Sequence, residues 1–304
     1  MTSLKDTLRR LYVLGLRSIK KSERSQDYWN RHHVDNPDSG FDNVNQSLEH
    51  LAWRNSMYPG QTDLLGYEIA NDARSLDYGC GPGNDVIGLG SGAKPRELHA
   101  MDVSSQALNL AQSRAKLHEI DCQFHKIEEN DAQLPLDDSS LDYIQSMGVL
   151  HHTPDPIAIM KEFHRLLSSG GQGRIMVYNR DSIWRHLHVA WEFQIEKGLY
   201  RDLTPDQAFA HTTDGYNCPI ANCYRPPEFV EMCESAGFKA RFVGSAVSLL
   251  ELRLLPRIWE ALGDKQLPIE SRKFLSEIRF DDRGFPIFNE QVAGLNAFYE
   301  IKKA

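Results

Sequence analysis

Three glycines at alternate positions follow a short stretch, in the first third of the chain, that has the pattern of a buried strand. The stretch is residues 75–78, and the glycines are Gly79, Gly81 and Gly83. Because glycine has no Cβ atom, such a turn can adopt positive φ angles and lets a ligand approach the main chain closely. Residues 84–89 can then begin a helix whose free N–H groups face a polar or anionic ligand. The segment predicts a strand, a ligand-contacting turn and a helix.

An acidic residue ends the next predicted strand. Residues 98–101 read as a short strand, and Asp102 stands at its C-terminal end. A carboxylate in this place of an α/β unit can hold the hydroxyls of a ribose. The glycine turn and Asp102 together predict a site for a nucleoside-containing ligand.

Strands and helices alternate around these two segments. The predicted strands are 75–78, 98–101, 123–127, 142–146, 174–178, 238–243 and 297–302, and the predicted helices are 105–118, 157–167, 226–236 and one near 255–262. Pro156 opens the second of these helices, and Gly170 and Gly171 follow its end. This alternation predicts an α/β fold with a doubly wound, mostly parallel sheet.

Five segments, in chain order, resemble the consecutive motifs of class I S-adenosylmethionine-dependent methyltransferases: LDYGCGPG, MDVS, NDAQLPLDDSSLDYI, SMGVLHHTPDP and FHRLLSSGG. The resemblance covers about residues 75–178 and is specific as an ensemble. It implies a Rossmann-like sheet of seven strands with an antiparallel last strand, S-adenosylmethionine as the cofactor, and methyl transfer as the reaction. It does not imply the methyl acceptor.

The resemblance also implies roles for individual residues. It assigns Asp77 and the three glycines to the loop around the methionine part of the cofactor, and Asp102 to the ribose hydroxyls. Asn84 and Asp85 depart from the family pattern, in which a threonine and a small or apolar residue are common. The departure concerns the contacts of the loop with the cofactor and not cofactor binding itself.

The resemblance assigns residues further along the chain to the adenine and to the reactive methyl group of the cofactor. Asp131 with Ala132 matches the acidic position that meets the adenine amino group, and Glu128 and Glu129 are close alternatives. Met147 opens a segment, 147–151, that is expected to line the cleft beside the methyl group.

A nicotinamide-dependent oxidoreductase is the competing interpretation, because a glycine turn and an acid at the second strand also serve dinucleotides. Here the third glycine comes one residue earlier than in GxGxxG. A pyrophosphate needs the wider turn, whereas a methionine tail can be held by the shorter one. The methyltransferase is favoured.

Composition limits the other classes of function. The chain has 304 residues, a formal net charge of −8, and hydrophobic and charged fractions of 41% and 25%. The negative charge argues against a nucleic-acid substrate and favours a small molecule. No window approaches the apolar length of a membrane span. The five cysteines lack the spacing of a metal site, so we predict no metal and a reducing, cytoplasmic location.

Two regions have the position to cover the cleft, and they define the predicted domain organisation. Residues 1–60 form a helical extension or lid, with an amphipathic basic helix at 4–20, and residues 61–304 form the methyltransferase domain. Insertions at 179–225 and 248–294 interrupt that domain. The second insertion could form a wall of the lid or the interface of a homodimer.

Aromatic, cationic and polar residues are concentrated in these regions. Arg54 could pair with the cofactor carboxylate, and aromatic rings can hold a sulfonium or exclude water. The loop HTTDGYN, 211–217, suits hydrogen bonding to a polar substrate, although turn chemistry alone also produces such a run. The residues expected to bind the substrate are Tyr28, Trp29, Tyr58, His152, Tyr216 and Tyr224. His186 and His188 are expected to pack within a helix.

A general base is needed only if the attacking atom must lose a proton. His151 is the leading candidate because it follows the fourth strand at the cleft, and an imidazole titrates near neutral pH. His152 and His211 are alternatives, and His151, His211 and Asp214 are the predicted catalytic residues. A cofactor-binding but catalytically silent partner subunit remains the alternative to an enzyme.

Overall fold

The fold is built around one large sheet, seen here in a computed structural model of the chain. The structure describes residues 25–32, 40–129, 131, 133–216 and 218–304. The predicted helix at 4–20, Ala132 and the last residue of the loop 211–217 lie outside the described residues.

Ten strands are present in the described residues. They are β1 Arg74–Tyr78, β2 Glu97–Asp102, β3 Gln123–Lys126, β4 Leu141–Met147, β5 Leu167–Tyr178, β6 Phe238–Ala246, β7 Arg279–Phe280, β8 Pro286–Phe288, β9 Gln291–Val292 and β10 Asn296–Lys303. Seven of them form one sheet in the order β3-β2-β1-β4-β5-β10-β6, and β7, β8 and β9 form a small antiparallel sheet. In the large sheet β10 is antiparallel to β5 and β6, and the other neighbouring pairs are parallel. The predicted seven-stranded, mostly parallel sheet is confirmed.

The strand order reverses at β1. From β1 the chain moves outward to β2 and β3, and then returns to place β4 on the other side of β1. In an open α/β sheet, such a switch point leaves a crevice outside the carboxyl ends of the strands. The glycine turn after β1 and Asp102 at the end of β2 both lie at this edge.

Helices cover both faces of the sheet, and side chains fix where they begin. The helices that alternate with the strands are Asn84–Gly92, Ser105–Leu117, Pro156–Leu166 and Pro226–Ser235. Ser104 and Asp155 cap two of them by accepting the N–H groups of Ala107 and Ala158. Between helices and sheet lies a core that includes Leu76, Phe163 and Tyr299, none of them accessible to solvent.

Two predicted boundaries are corrected. β5 begins at Leu167 and not at residue 174, because the register with β4 shifts between Leu141 and Tyr143 and this irregularity admits the glycines into the strand. The helix predicted near 255–262 is divided into a 3₁₀ turn, Leu255–Arg257, and a helix, Ile258–Gly263. Pro256 causes the division, since it lacks the N–H that a continuous helix requires.

The region between β5 and β6 contains a 13-residue π-helix, Trp184–Glu196, and a short helix, Pro205–Phe209. The region between β6 and β10 contains three helices, Leu249–Leu254, Ile258–Gly263 and Ile269–Glu277. The fully buried Arg185 connects these regions by donating to Asp206 at 2.6 Å and Glu270 at 2.9 Å. His186 stacks on Phe274 with ring centroids 4.1 Å apart, as expected of a packing residue.

The described residues before β1, 25–32 and 40–73, contain three short helical segments and one longer helix. They are Ser25–Trp29, Val44–Ser56, Thr62–Leu65 and a 3₁₀ turn at Tyr67–Ala70. None of the helices in the described part of the chain has the length and apolar character that a membrane span requires.

Candidate functional site

A cavity of about 450 Å³ lies at the carboxyl ends of β1, β2, β4 and β5. This volume falls within the range of typical small-molecule sites. Its lining comes from the turns after these strands, from the segment before β1, and from Asp214 and Asn296. The cavity therefore occupies the crevice that the strand order creates.

The three glycines of the turn have different surroundings. All have positive φ, of 73° at Gly79, 50° at Gly81 and 86° at Gly83. A Cβ atom on Gly79 would lie 2.3 Å from Val149, and one on Gly83 would lie 3.1 Å from Ala111. A Cβ atom on Gly81 would meet no atom within 4 Å. Gly79 and Gly81 line the cavity and Gly83 does not, so Gly83 serves the packing of two helices.

Asp102 ties the turn to the end of β2. Its Oδ2 accepts the N–H of Gly81 at 2.8 Å, and its Oδ1 accepts the N–H of Ser104 at 2.7 Å. The carboxylate is largely buried and lines the cavity. Two main-chain donors thus fix the orientation of the Asp102 carboxylate at the wall of the cavity.

Asp77 lies behind the turn and does not line the cavity. It is 1% exposed, and its Oδ2 accepts no hydrogen bond within the described chain. Burial raises the pKa of Asp77 well above its usual value, and the negative charge of Asp85 adds to the effect. This position can support the turn from below.

Arg54 reaches the same wall from the helix Val44–Ser56. It donates to both carboxylate oxygens of Asp85 at 3.1 Å, and the Tyr67 hydroxyl donates to Asp85 at 2.5 Å. Burial opposes the charge of Arg54, but Asp85 outweighs it, so the pKa of Arg54 is raised. Asp85, a departure from the family pattern, is thus the ion-pair partner of Arg54.

Arg114 is a structural residue that sequence reasoning missed. Its guanidinium donates to Asn84 Oδ1 at 2.5 Å, to Ser47 Oγ at 2.7 Å and to the Ser47 carbonyl at 2.9 Å. Burial lowers the pKa of Arg114 to about 10. Its spacing in the sequence could have indicated burial, because Arg114 falls on the same helical face as Ala107 and Ala111.

The region predicted to hold the adenine is acidic. Asp131, Glu129 and Ile127 line the cavity there. Asp131 accepts the N–H of Glu128 at 2.7 Å, and Glu129 accepts the N–H of Gln26 at 3.4 Å. Glu129 therefore joins the segment before β1 to this wall.

The opposite end of the cavity brings together residues from distant parts of the sequence. His152 Nε2 lies 3.4 Å from Asp214 Oδ2, and the Tyr178 hydroxyl donates to the same carboxylate at 2.9 Å. His152 Nδ1 lies 2.5 Å from the carbonyl oxygen of Ile220. Since a carbonyl only accepts, Nδ1 carries a proton and Nε2 faces the carboxylate. The Trp29 ring packs edge-on against His152, with centroids 4.8 Å apart.

The predicted base His151 lies outside this cavity. It is completely buried, stacks on the Tyr178 ring at 3.8 Å, and its Nδ1 accepts the N–H of Tyr178 at 3.3 Å. Burial lowers the pKa of His151 well below its usual value, and His152 adds to the effect. The 3₁₀ turn Leu150–His152 turns His151 toward the core and His152 toward the cavity.

Four other predicted residues do not line the cavity: Tyr28, His211, Tyr216 and Tyr224. Tyr28 is buried and donates to the backbone carbonyl of Asp214, which supports the loop from behind. His211 Nδ1 lies 3.0 Å from the Tyr216 carbonyl, so these two residues close their own turn. Tyr224 packs on Phe229 beside the sheet. The predicted residues that do line the cavity are Arg54, Gly79, Gly81, Asp102, Asp131, Met147, Trp29, Tyr58, His152 and Asp214.

His152, Asp214 and Cys218 also offer atoms within 4.8 Å of one another, a spacing that could hold a metal ion. The His152 Nδ1 and the Cys218 thiol both face the Ile220 carbonyl, the thiol at 3.2 Å. Hydrogen bonds therefore account for the arrangement. All five cysteines are free.

Gln61 and Asn296 line the cavity, and neither was expected to. The Asn296 amide donates to Gln61 Oε1 at 2.7 Å. A signal was present in the sequence. An antiparallel last strand begins at the edge where the parallel strands end, so a polar residue at its start belongs to the crevice.

Comparison with known proteins agrees with this geometry. Residues 76–175 match the family model of a methyltransferase domain. The chain is 27% identical over 135 residues to a demethylmenaquinone methyltransferase of Geobacillus kaustophilus, and 28% identical over 139 residues to that of Bacillus subtilis. Each alignment covers 43% of this chain and 55% of the relative, so the chain spans about half the length of these relatives.

Among solved structures, the YcgJ protein of Bacillus subtilis is similar, with a TM-score of 0.49 and 16% identity over 80% of this chain and 97% of that one. The family model matches the segment that contains the end of β1, the glycine turn, Asp102 and β2 to β4. The strand order and the antiparallel β10 agree with the fold that the motifs imply. Residues 76–175 are thus similar in sequence to a methyltransferase domain, and the sheet has the topology that the class I S-adenosylmethionine-dependent methyltransferase motifs imply.

Proposed function

We propose that this chain binds S-adenosylmethionine in the cavity and methylates an oxygen, nitrogen or sulfur atom of a small polar molecule. The observation that carries the proposal is the junction of the glycine turn and Asp102 in a strongly acidic wall. When bound, the cofactor supplies a methyl group activated on a sulfonium. The chain must therefore position the acceptor, exclude water and remove a proton where the acceptor requires it.

The charge of the cavity supports this cofactor. Six carboxylates line it, from Asp85, Asp102, Glu129, Asp131, Asp155 and Asp214. Among the described lining residues, Arg54 is the only arginine or lysine, and Asp85 holds it. A dinucleotide would bring the negative pyrophosphate into this field, whereas a sulfonium and an ammonium are attracted by it. An NAD-dependent oxidoreductase is disfavoured on the same ground.

The residues present fit the parts of the cofactor. Gly81 leaves room for a ligand against the main chain, with Gly79 beside it and Asp77 and Gly83 supporting the turn. Asp102 is oriented for ribose hydroxyls, and Asp131 for the adenine amino group. Met147 lies next to the acceptor end. Arg54 has the position to meet the cofactor carboxylate and also holds its helix over the turn.

His152 replaces His151 as the proposed general base. Its Nδ1 proton is held by the Ile220 carbonyl, which leaves Nε2 to take a proton from the acceptor. The positive charge that results would be stabilised by Asp214, 3.4 Å away. Tyr178 orients Asp214, and Trp29 with Tyr58 would enclose the acceptor. The buried His151 supports Tyr178 from behind.

The relatives do not decide the acceptor. The matched segment, 76–175, contains neither Trp29, Tyr58, Asp214 nor Asn296, although all four line the cavity. These residues come from segments outside the shared domain. The acceptor of this chain is therefore proposed from its own polar lining, as a sugar derivative or an amino-acid-like compound.

Further parts of the proposal concern the whole chain. Residues 1–60 serve as a helical lid and residues 61–304 as the methyltransferase domain, with substrate-covering insertions at 179–225 and 248–294. The five free cysteines support a cytoplasmic location. A homodimer through the second insertion remains part of this proposal.

Two measurements test the function and its non-catalytic alternative. Calorimetry with S-adenosylmethionine and with NADH reports which cofactor binds; tight binding of NADH alone would overturn the proposal. Labelled S-adenosylmethionine with a fractionated metabolite extract should then yield S-adenosylhomocysteine and one methylated product. Cofactor binding without release of S-adenosylhomocysteine from any fraction would identify a silent partner subunit.

A further inference from the structure

We propose that the amide of Asn296 is a specificity-determining group that selects methyl acceptors carrying an N–H or O–H donor. The inference rests on the proposed function and names the chemistry of its acceptor. Asn296 is 3% exposed, lines the cavity, and its Oδ1 has no hydrogen-bond partner in the described chain. A buried amide oxygen without a donor is unfavourable, and a donor on the ligand would relieve this cost.

The neighbours of Asn296 explain why Oδ1 is the atom without a hydrogen-bond partner in the described chain. Gln61 Oε1 accepts from the amide nitrogen at 2.7 Å and so determines which way the amide faces. Gln61 is itself 2% exposed and lines the cavity beside Asn296. The pair holds Oδ1, on a residue of the cavity wall, as a buried acceptor atom that has no donor in the described chain.

The backbone around Asn296 is held rigidly. Asn296 pairs with Tyr178 of β5 on one side and with Ala246 of β6 on the other. The preceding N–H, of Leu295, donates to the fully buried Glu251 at 3.3 Å, and the Leu295 carbonyl accepts the N–H of Asn179 at 2.7 Å. A group positioned by a sheet on both sides has the preorganisation that selectivity requires.

The position in the sheet assigns the amide to the acceptor and not to the cofactor. The glycine turn follows β1, and β10 lies three strand positions away, beyond β4 and β5. At the usual strand spacing this separation is about 14 Å. Asn296 is next to Tyr178, and the Tyr178 hydroxyl orients Asp214. The Asn296 amide and the Asp214 carboxylate therefore lie at the same end of the cavity. A site built to bond a substrate donor discriminates strongly against an analogue that lacks it.

The test measures fragment binding and not turnover. Protein saturated with S-adenosylhomocysteine is titrated with phenol and aniline and with their capped analogues anisole and N,N-dimethylaniline, followed by ligand-detected NMR. The parents should bind wild type at least tenfold more tightly than the capped forms. Preference for phenol would identify a hydroxyl acceptor, and preference for aniline an amine. Equal binding of parents and capped forms, or no binding of any probe, would overturn the inference.

Variants identify the responsible atom. Asn296→Leu should abolish the tenfold preference, while Asn296→Asp, which keeps oxygen acceptors, should retain it. Asn109→Leu, at an exposed helix position outside the cavity, is the matched control. If Asn296→Leu does not fold, Gln61→Met provides the second arm, since it removes the oxygen that orients the amide and should reduce the preference. If both variants still prefer the parent fragments over the capped analogues, the inference is wrong.

Failure of the proposed function gives a different result. In that case S-adenosylhomocysteine itself does not bind the wild-type protein. If it binds equally to wild type and all variants while the preference is absent, the cofactor assignment stands and only the role of Asn296 is wrong.

Discussion

At the scale of single residues, two adjacent histidines have opposite environments. His151 is buried with its Nδ1 occupied by the Tyr178 N–H, and His152 lines the cavity beside Asp214. The sequence places both after the fourth strand and cannot separate them. A 3₁₀ turn sends successive side chains in different directions, so only the folded chain decides which imidazole lines the cavity.

Removal of the two imidazoles should therefore have different effects. His152→Ala should lower kcat about 10²- to 10⁴-fold for an acceptor that loses a proton, the usual contribution of a general base, and leave cofactor affinity unchanged. His151→Ala should mainly lower the thermal midpoint, because it opens a space beneath Tyr178. Steady-state kinetics with calorimetric titration of S-adenosylhomocysteine distinguishes them. Full activity of His152→Ala would exclude the base role.

The glycines of the turn allow a second comparison. Gly81→Ala places a methyl group where no atom lies within 4 Å, so the protein should fold with a loss of about 1–2 kcal/mol for the left-handed backbone. Its Cβ would enter the cavity, and S-adenosylhomocysteine should bind at least tenfold more weakly. Gly79→Ala meets Val149 at 2.3 Å and should be destabilised more, as measured by urea unfolding. Unchanged binding by Gly81→Ala would contradict the cofactor position.

At the scale of elements, the helix Val44–Ser56 is held mainly by polar contacts. Ser47 is the one residue of this helix that is fully buried, and Val44, Leu48 and Trp53 are exposed. Arg114 holds Ser47, and Asp85 holds Arg54. The position of this helix therefore depends on hydrogen bonds to the domain beneath it. The part of the cavity wall that Arg54 forms depends on the same hydrogen bonds.

Substitution of Arg114 should loosen this helix selectively. Arg114→Met removes the guanidinium that donates to Asn84 Oδ1 and to both Ser47 oxygens, although His118 Nε2 stays within 2.8 Å of Ser47 Oγ. The loss should be about 1–3 kcal/mol for a buried polar group left without its donor. Hydrogen exchange of residues 44–56 should become roughly 10- to 100-fold faster, and cofactor affinity should fall. Arg241→Met, which removes an exposed ion pair with Glu300, is the control and should change neither. Unchanged exchange in Arg114→Met would show that other contacts hold the helix.

At the scale of the whole molecule, buried histidines link stability to pH. Burial lowers the pKa values of His151 and His186 well below their usual value, and Arg185, Arg225 and Arg180 lower that of His186 further. The folded state keeps both neutral, whereas the unfolded chain binds protons below about pH 6.5. Stability from these groups is thus complete above pH 6.5 and is lost as the pH falls through it.

Urea unfolding between pH 8 and pH 5 should show this loss. Each group should contribute a slope of about 1.4 kcal/mol per pH unit below pH 6.5, so the free energy of unfolding should decline steeply there. His186→Phe should remove one of the two contributions and make the decline shallower than in wild type. A variant with the same pH dependence as wild type would mean that His186 is protonated in the folded protein.

The sequence by itself determined the sheet and the side of the cavity at which we propose the cofactor. Strand and helix periodicity, the glycine turn and Asp102 are local patterns, and the edge of a parallel sheet brings the ends of neighbouring strands together without further information. The tertiary structure alone decided the side at which we propose the methyl acceptor. Trp29, His152, Asp214 and Asn296 are separated by up to 267 positions in the chain and meet only through packing of segments that no local pattern connects. Those long-range contacts also determine which way the His152 side chain points and why Asn296 Oδ1 has no partner in the described chain. They likewise produce the ion pair of Arg54 with Asp85.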